Sequence, residues 1–532
     1  MKNKVIAAIL GMSLIVGMMG MTVMADPAPD GKTVASETAA AADGAWEAWQ
    51  SEWETKKTDW TILSMTPGAD ETQMNFAWYS VQGEVPVLKV GKAEDLSDAV
   101  DYTAQQTEAV TSGDVVYMGN KVTAEGLEPD TTYYYSYQKD GEFTETKSFH
   151  TGKADNFSFI YVGDPQIGSS NEKKGSFSSE EISEEEFKEK LSEFTEAQSA
   201  SVCNDSFNWN DTLNKAAAQD ENASFVLSAG DQVQTTVKKA PNGDVTVSEI
   251  EYTGVLCPEV LAELPFAPTV GNHDADNHNF ANHYHVPNSS ETLGVTDASG
   301  DYYFTYGNSL FLFLNTQDTN VADHKEFIDA ACAANPDVTW RFVTLHQDIY
   351  GSAEHSNEPE ITSLRYQLVP IFEENDIDVV FTGHDHAYTR SYLMSGASKD
   401  ESVWNQDYDS MEEKFEEEFE KEIDVDQPYT SEDEAYLTYL NSVNDESAIK
   451  EGEDAGTTVT NPEGILYMCA NSASGSKYYD LVSRQQSYVA ARWQEDVPTY
   501  SIAEVEGNTF TINTYRTDNG EKIDETFSIV KE

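Results

Sequence analysis

The sequence predicts an N-terminal all-β sandwich followed by a larger α/β layered domain. Between Trp60 and Thr151, short aromatic and β-branched runs alternate with turn clusters, which is typical of a sandwich. From Asn156 onward, apolar β-runs end in polar, glycine-containing loops with helical stretches between them, which indicates strands buried on both faces. The 532 residues are 39% hydrophobic and 11% aromatic, which is enough for such cores and excludes wholesale disorder.

The chain is strongly acidic and poor in cysteine. It carries 95 acidic and 32 basic residues, a formal net charge of −63 at neutral pH. Such a surface repels nucleic-acid phosphates and anionic lipids, so we expect neither a stable nucleic-acid partner nor docking on an anionic membrane. The cysteines lack C-x-x-C spacing, which disfavours a thiolate metal site, and their pairing stays open. They are Cys203, Cys257, Cys332 and Cys469.

Residues 1–25 are predicted to be a signal peptide rather than part of the fold. Lys2 and Lys4 precede an apolar stretch, and Val23-Met24-Ala25 fits a small-residue cleavage site. We therefore expect a secreted, extracellular protein, with cell-wall association left open and an uncleaved N-terminal anchor as the alternative. No later apolar stretch reaches about 18 residues, so no membrane span is predicted.

Residues 26–58 are expected to form a linker and a short amphipathic helix. The helix covers residues 45–57 and carries Trp46, Trp49 and Trp53 on one stripe. Packing of this stripe on the next domain is favoured over a ligand-stacking platform.

The β-sandwich is assigned to residues 59–152. Its clearest element is GLEPDTTYYY at 126–135, a Pro-Asp turn followed by a strand whose tyrosines lie on alternate faces. The closing strand is KSFHT at 147–151, and His150 within it is interpreted as structural.

The α/β domain is assigned to residues 153–532. A segment at 180–196 is expected to be an acidic surface helix. An acidic insertion at about 398–458 is expected to be a solvated helical segment, with a weak Ca²⁺ site or a docking surface for a cationic wall as the alternative. The predicted strands include 157–162, 225–228, 266–270, 310–314, 341–345, 379–382 and 464–470, with more between 500 and 530.

Five short polar patterns come directly after predicted strands. Because open α/β sheets build sites beyond the carboxyl ends of their strands, we expect these patterns to meet. Asp, Asn and His are ligands for Mn, Fe or Zn, and one Asp can bridge two ions about 3.5–4 Å apart. Gly-His-x-His and Gly-Asn-His are rare by chance at this composition. The patterns are Gly163-Asp164, Gly230-Asp231, Gly271-Asn272-His273-Asp274, His346 and Gly383-His384-Asp385-His386.

The order GD, GD, GNHD, H and GHDH resembles the calcineurin-like metallophosphoesterase superfamily. The preceding sandwich, with GLEPDTTYYY and KSFHT, resembles the N-terminal fibronectin-III-like domain of purple acid phosphatases. The resemblance implies a four-layer α/β domain, in which two β-sheets are flanked by helices. It also implies a centre of two divalent metal ions, of Mn, Zn or Fe, at one end of the sheets.

The same resemblance implies a ligand role for each matching residue. Asp164 and His386 would bind the first metal, and Asp231 would bridge both. The second metal would be bound by three further residues, Asn272, His346 and His384.

Four other residues match the family pattern outside the ligand set. His273 resembles the outer-sphere histidine that contacts the phosphate or protonates the leaving group, and Asp274 would orient its imidazole. His355 stands where purple acid phosphatases carry a substrate-facing histidine. For Arg390, in HAYTR, a structural ion pair is favoured over substrate contact.

Two positions depart from the family pattern. Purple acid phosphatases carry a tyrosine three residues after the bridging Asp, where this chain has Gln234, so no purple colour is expected. The first motif is Asp164-Pro165-Gln166 instead of Asp-x-His, so the first metal would have one protein ligand fewer unless an amide oxygen or water fills the place. Two divalent ions such as Mn²⁺ or Zn²⁺ are therefore expected in preference to a pair containing Fe(III).

Together these features predict a secreted hydrolase of phosphate monoesters, acting on phosphorylated small molecules through a metal-bound hydroxide. One alternative is a phosphodiesterase or nucleotide hydrolase that uses the same site. Another is a surface binding or adhesion protein on a catalytically dead phosphatase fold. A different metallohydrolase is disfavoured because neither HExxH nor Gly-x-Ser-x-Gly occurs. The natural substrate and the oligomeric state stay open.

Overall fold

A computed structural model gives the structure of most of the chain. The signal peptide assigned to residues 1–25 and much of the insertion at 398–458 lie outside the described residues. Within the described part, no helix is long and apolar enough to cross a membrane. The structure describes residues 31–112, 114–139, 141–154, 156–171, 177–400, 434–450, 457–482 and 485–532.

The first helix docks on the α/β domain. Helix α1 (Ala45–Lys56) lies against helix α2 (Glu184–Gln219). Trp53 is buried, and its indole N–H donates to the backbone carbonyl of Ser199 at 3.0 Å. The other two tryptophans of the stripe meet the ring of Phe207 edge-on, at centroid distances of 5.4 and 6.0 Å. The stripe is therefore a packing surface.

The segment expected to be a linker is partly docked as well. The backbone N–H of Thr33 donates to the carbonyl of Gly475 at 2.7 Å. That of Ala35 donates to Asn204 Oδ1 at 2.8 Å, and Ala35 is fully buried. The described residues before α1 are thus held on the α/β domain.

The N-terminal sandwich has two facing antiparallel sheets. One has the strand order β1-β2-β6-β5, and the other has the order β4-β3-β7-β8 with β9 also paired to β7. Tyr133, Tyr135 and Tyr137 on β7 point into the core between the sheets. The strands are β1 (Ser64–Pro67), β2 (Gln73–Val81), β3 (Val87–Gly91), β4 (Val100–Thr103), β5 (Gln105–Ser112), β6 (Val115–Glu125), β7 (Thr131–Lys139), β8 (Glu142–Phe143) and β9 (Lys147–Thr151).

Two mixed sheets form the centre of the α/β domain. Their strand orders are β12-β11-β10-β21-β22-β23-β18 and β13-β14-β15-β16-β19-β17-β20. The neighbours β10, β11 and β12 are parallel, as are β14, β15, β16 and β19. The strands are β10 (Asn156–Val162), β11 (Ala223–Ser228), β12 (Phe266–Pro268), β13 (Tyr302–Tyr306), β14 (Ser309–Phe313), β15 (Trp340–Thr344), β16 (Val379–Thr382), β17 (Tyr388–Ser391), β18 (Thr458–Thr460), β19 (Leu466–Cys469), β20 (Val489–Trp493), β21 (Thr499–Glu506), β22 (Thr509–Arg516) and β23 (Phe527–Val530).

An aromatic core joins the two sheets, and helices cover their outer faces. Phe159 stacks on Phe225 at 5.2 Å, and the ring of Phe381 packs edge-on against Phe159 at 5.8 Å. Burial of each such ring contributes about 1.5–3 kcal/mol. The predicted layers, two sheets flanked by helices, are confirmed. The remaining α-helices of the described residues are α3 (Thr246–Leu256), α4 (His278–His283), α5 (Val321–Ala334), α6 (Pro359–Glu374) and α7 (Glu434–Ser442).

The acidic segment at 180–196 is helical from Glu184, and its residues before Phe194 lie at the surface, as expected. It is the start of the 36-residue helix α2, where the Ser183 hydroxyl caps the helix by accepting the N–H of Glu186 at 3.2 Å. The acidic first turn suits the positive end of the helix dipole. From Phe194 onward the same helix buries one face in the core. Patterning within the acidic window alone could not show this continuation.

The described end of the acidic insertion is packed rather than solvated. In α7, Tyr439 is fully buried, and its hydroxyl lies 2.7 Å from that of Thr362 on α6. Beyond α7, Asp445 Oδ2 accepts from the buried guanidinium of Arg365 at 3.2 Å. This ion pair fixes the returning chain on α6.

The cysteines whose pairing stayed open are all buried free thiols. Burial is the largest cause that raises the pKa of Cys203 and of Cys257, each to about 12. These two thiols are therefore protonated and unreactive at neutral pH.

A buried imidazolium lies beside the second sheet. His324 Nδ1 lies 2.8 Å from Asp301 Oδ2, and its Nε2 lies 2.9 Å from the carbonyl of Asp318. The carbonyl of Asp318 and an ionised Asp301 are both acceptors, so this pairing favours the doubly protonated ring. Burial opposes protonation, but the hydrogen bond and charge of Asp301 raise the pKa of His324.

The pH dependence of this pair gives a prediction. A folded-state pKa above the unfolded value contributes stability that is complete below the unfolded pKa, about 6.5, and is lost as pH rises through the folded value. His324→Gln should therefore lower the melting temperature most below about pH 6, and its deficit should shrink as the pH rises above about 6.5. Thermal unfolding of both proteins across this range measures it; a deficit independent of pH would contradict the charged pair.

Candidate metal centre

The polar patterns meet at the carboxyl ends of the two sheets. Asp164 follows β10, Asp231 follows β11 and Asn272 follows β12, while His346 follows β15 and His384 follows β16. The backbone N–H of His384 donates to both carboxylate oxygens of Asp164, at 3.0 Å each. This contact joins the end of one sheet to the end of the other, so the site lies between them.

Four predicted ligands adopt left-handed backbone conformations. Their φ angles are 45° for Asp164, 47° for Asp231, 70° for His384 and 46° for His386. Such residues cost about 1–3 kcal/mol each and concentrate at functional sites. Four of the six predicted ligands therefore share a strained backbone conformation.

One group of donors converges on His346 Nε2. This atom lies 3.3 Å from Asp231 Oδ2, 3.2 Å from His384 Nδ1 and 2.9 Å from Asn272 Oδ1. Ligand atoms that each lie about 2.1 Å from a tetrahedral ion are about 3.4 Å apart. His346 Nδ1 faces the carbonyl of Ala229 at 2.9 Å, which leaves Nε2 as the ligand atom of the neutral ring.

A second group lies beside the first. His386 Nε2 is 3.6 Å from Asp164 Oδ1, and the same carboxylate oxygen is 3.9 Å from His346 Nδ1. His386 Nδ1 faces the backbone carbonyl of Lys477 at 2.8 Å, so Nδ1 carries the proton of the neutral ring. The lone pair available to a metal is then on Nε2. The six predicted ligands thus lie together in two adjoining groups.

The ionisable groups of this cluster shift one another's pKa values. Despite burial, Asp231 and Asp164 raise the pKa of His346 to about 9. Burial raises the pKa of Asp164 to about 8. Against the effect of burial, His346 and His273 hold the pKa of Asp231 below its usual range. Burial and neighbouring histidine charges hold the pKa of His384 low. The negative charge of Asp231 is thus met by protonated His346, and a bound divalent ion would take the place of that proton.

Two amide side chains closely follow the predicted ligands Asp164 and Asp231 in the sequence. Gln166 Oε1 and Gln234 Oε1 are buried without a hydrogen-bond partner among the described residues. An unsatisfied buried acceptor costs about 1–3 kcal/mol, whereas amide oxygens are ligands for hard divalent cations. The residues present therefore fit a divalent metal centre.

The imidazole of His273 is oriented by a backbone carbonyl. Its Nδ1 lies 2.6 Å from the carbonyl of Gln234. The carboxylate of Asp274 instead accepts the backbone N–H groups of Gln232, at 3.1 Å, and Gly271, at 2.9 Å. Asp274 thus holds the backbone of the metal-binding loops, and Gln234 takes the orienting role expected of Asp274.

His355 lies against the ligand group. Its ring stacks on that of His384 at 4.4 Å, and 16% of its side chain is exposed. Its Nδ1 contacts Glu358 Oε1 at 2.5 Å, and its backbone N–H donates to Asp385 Oδ1 at 2.9 Å. The loop that carries His355 is thereby anchored to the Gly-His-x-His motif.

Arg390 lies in a structural ion pair. Its Nε and Nη2 donate to the two carboxylate oxygens of Asp524 at 2.6 and 3.2 Å, and its guanidinium lies over the ring of Phe527. These contacts give Arg390 the structural role that the sequence analysis favours.

Two further residues reach the site and were missed from sequence. Lys477 and Tyr479 lie in the loop after β19, and the Tyr479 ring lies 4.8 Å from His355 and 5.0 Å from His386. They belong to no ligand motif. The available signal was their position: ASGSKYYD is a glycine-containing loop after an apolar strand, like the motifs that were recognised.

Family models match both domains. Residues 157–388 match the model described as calcineurin-like phosphoesterase. Residues 61–151 match the model described as purple acid phosphatase, N-terminal domain. The two regions are the sandwich and the part of the α/β domain that holds all six predicted ligands.

Similar proteins include two curated sequences and two solved structures. Two uncharacterized proteins of Mycobacterium tuberculosis strains are each 24% identical over 156 residues, 25% of this chain and only 29% of their own length. The structure of purple acid phosphatase PPD1 from yellow lupin (Lupinus luteus) seeds gives a TM-score of 0.55 at 11% identity, over 89% of this chain and 75% of that one. A structure of PhoD gives 0.49 at 11% identity, over 88% and 93%.

Proposed function

Because the chain carries a calcineurin-like phosphoesterase domain behind a purple acid phosphatase N-terminal domain, we propose that it is a metal-dependent hydrolase of phosphate monoesters of small molecules. One observation carries the proposal: donors of Asp231, His346 and His384 lie within 4.8 Å of one another, beside Asp164 and His386. Secretion through residues 1–25 is part of the same proposal.

We further propose a pair of divalent ions. Asn272, His346 and His384 would hold one ion and Asp164 and His386 the other, with the carboxylate of Asp231 shared. The orphaned amide oxygens described above supply donors in place of the missing histidine and tyrosine of the family pattern. When bound, such ions polarise the phosphoryl oxygens and provide a nucleophile at neutral pH.

The protein's own side chains position the ester and handle the proton. Nδ1 of His273 is committed to the carbonyl of Gln234, which directs Nε2 to the side of Asp231, 4.0 Å from Oδ2. From there Nε2 contacts a phosphoryl oxygen or transfers a proton to the leaving oxygen. His355, stacked on His384, contacts the substrate from the other side.

The direct test is ester turnover with and without metal. Protein loaded with Mn²⁺, Zn²⁺ or Fe²⁺ should release p-nitrophenol from p-nitrophenyl phosphate faster than from bis(p-nitrophenyl) phosphate, the bis-ester. A chelator should abolish the reaction, and the divalent ion should restore it. Preference for the bis-ester would make the protein a phosphodiesterase. Absence of turnover in folded, metal-loaded protein would favour the binding or adhesion alternative.

The residue at 234 gives a spectroscopic prediction. Glutamine offers iron no phenolate, so iron-loaded wild-type protein should show no purple charge-transfer band. Gln234→Tyr should gain a visible band when loaded with Fe(III), with Gln234→Phe as the matched colourless control. Visible absorption of the three proteins decides this, and a purple wild-type protein would contradict the proposed divalent pair.

A further inference from the structure

A buried lysine stands at the edge of the metal centre. Lys477 is only 2% exposed. Its ammonium contacts the hydroxyl of Tyr479 and lies 4.3 Å from the centre of that ring. The backbone carbonyl of the same lysine fixes His386 Nδ1 at 2.8 Å. Both the main chain and the side chain of Lys477 are therefore tied to the predicted site.

The tyrosine ring bridges two site histidines. Tyr479 packs edge-on against His355, at 4.8 Å and 85°, and against His386, at 5.0 Å and 67°. Small buried neighbours, Ala353 and Ala387, hold the ring in place. Since His355 stacks on His384, the Lys477 and Tyr479 pair lies on the side of the centre proposed for the substrate.

The electrostatic setting makes this lysine unusual. Lysine is almost never fully buried, and burying an ammonium is costly. A doubly charged phosphate monoester entering a chain of net charge −63 needs fixed positive charge near its oxygens.

We propose that the Lys477 ammonium and the Tyr479 hydroxyl form an anion-binding subsite that contacts a non-bridging oxygen of the substrate phosphate. The pair distinguishes monoester dianions from diester monoanions, because the second negative charge is present only on the monoester. The proposal rests on the proposed function and names the substrate class of the same site.

The test compares two esters in charge-altered variants. Lys477→Met keeps most of the apolar stem and removes the charge, and Lys477→Arg keeps the charge. Lys477→Met should lower kcat/KM for p-nitrophenyl phosphate by about 10- to 100-fold, as expected for loss of a charged hydrogen bond, and for the bis-ester by less than about 3-fold. Lys477→Arg should recover part of the loss, and Tyr479→Phe should lose about 3- to 10-fold on the monoester alone.

A matched control removes a lysine charge at the far edge of the sheet. Lys531 pairs with Asp378, which precedes β16, whereas the metal motif follows that strand. Lys531→Met should leave both kcat/KM values unchanged. Calorimetric titration of metal-loaded protein with inorganic phosphate supplies a readout other than activity, in which Lys477→Met should bind about 10- to 100-fold more weakly than wild type.

The outcomes separate this proposal from the proposed function. Equal losses of kcat/KM on the two esters would mean that Lys477 only supports His386, and this result would overturn the subsite. Unchanged kcat/KM values on both esters would overturn it as well. If the wild type hydrolyses neither ester, the proposed function fails, and the phosphate titration decides the subsite alone. Should Lys477→Met not fold, Lys477→Arg and Tyr479→Phe carry the comparison, and no selective monoester loss in Tyr479→Phe would overturn the proposal.

Discussion

Asp231→Asn should lower kcat/KM on p-nitrophenyl phosphate by about 1000-fold or more, the expected loss for a residue proposed to be shared by both metals. The substitution removes the negative charge and one of the oxygens that faces His346 Nε2 at 3.3 Å. Asparagine tolerates the left-handed backbone at φ 47°, so the fold should persist. Steady-state kinetics on metal-saturated protein, with a melting curve, measures both.

Asp376→Asn is the matched control for this prediction. Asp376 also has a left-handed backbone, at φ 51°, but its side chain is 88% exposed and precedes β16, on the edge away from the centre. The kinetics and the melting temperature of the Asp376→Asn variant should equal those of the wild type. An Asp231→Asn protein that turns over at near wild-type rate would remove Asp231 from the mechanism.

Gly271→Ala should lower activity by about 100-fold and also lower the melting temperature. A Cβ at this position would lie 2.1 Å from Asp231 Oδ1 and 2.3 Å from the Asp231 backbone nitrogen. The carboxylate could rotate away, but the backbone nitrogen cannot, so the loop must shift. Displacing ligands by about 1 Å can cost about 100-fold in rate, and overpacking costs about 1–3 kcal/mol.

Gly119→Ala tests whether added volume alone explains such a loss. At Gly119 the nearest atom to a new Cβ is Thr107 Oγ1 at 3.5 Å, an ordinary contact. This variant should match wild type in activity, and its stability should change by less than about 0.5 kcal/mol. Wild-type kinetics in Gly271→Ala would show that the close approach of Gly271 to Asp231 is not required.

The strand ends could be predicted because their pattern is local. Apolar β-runs followed by glycine and a ligand residue mark both the strand and the point where it stops, so Asp164, Asp231 and His384 were placed from sequence alone. Because neighbouring strands are parallel, their carboxyl ends then lie at one edge of the sheet. The sandwich followed in the same way from alternation along β7.

What sequence could not show depends on contacts between distant backbone groups. The carbonyl of Gln234 orients His273, and a carbonyl leaves no trace in residue identity. The acidic start of α2 looks like a separate surface helix because its buried half begins only near Phe194. Lys477 and Tyr479 belong to no metal-ligand pattern. They reach the centre through a loop after β19, which their residue types do not indicate.

The central claim is tested most directly by measuring turnover as a function of the number of metal ions bound per chain. Metal-free protein titrated with Mn²⁺ should gain turnover of p-nitrophenyl phosphate until two equivalents are bound per chain, with the bound metal counted by mass spectrometry. Asp231→Asn at saturating metal should stay inactive. Full activity in chelator-treated protein that contains no metal, or failure of the folded protein to bind any divalent ion, would contradict a metal-dependent phosphoesterase at this site.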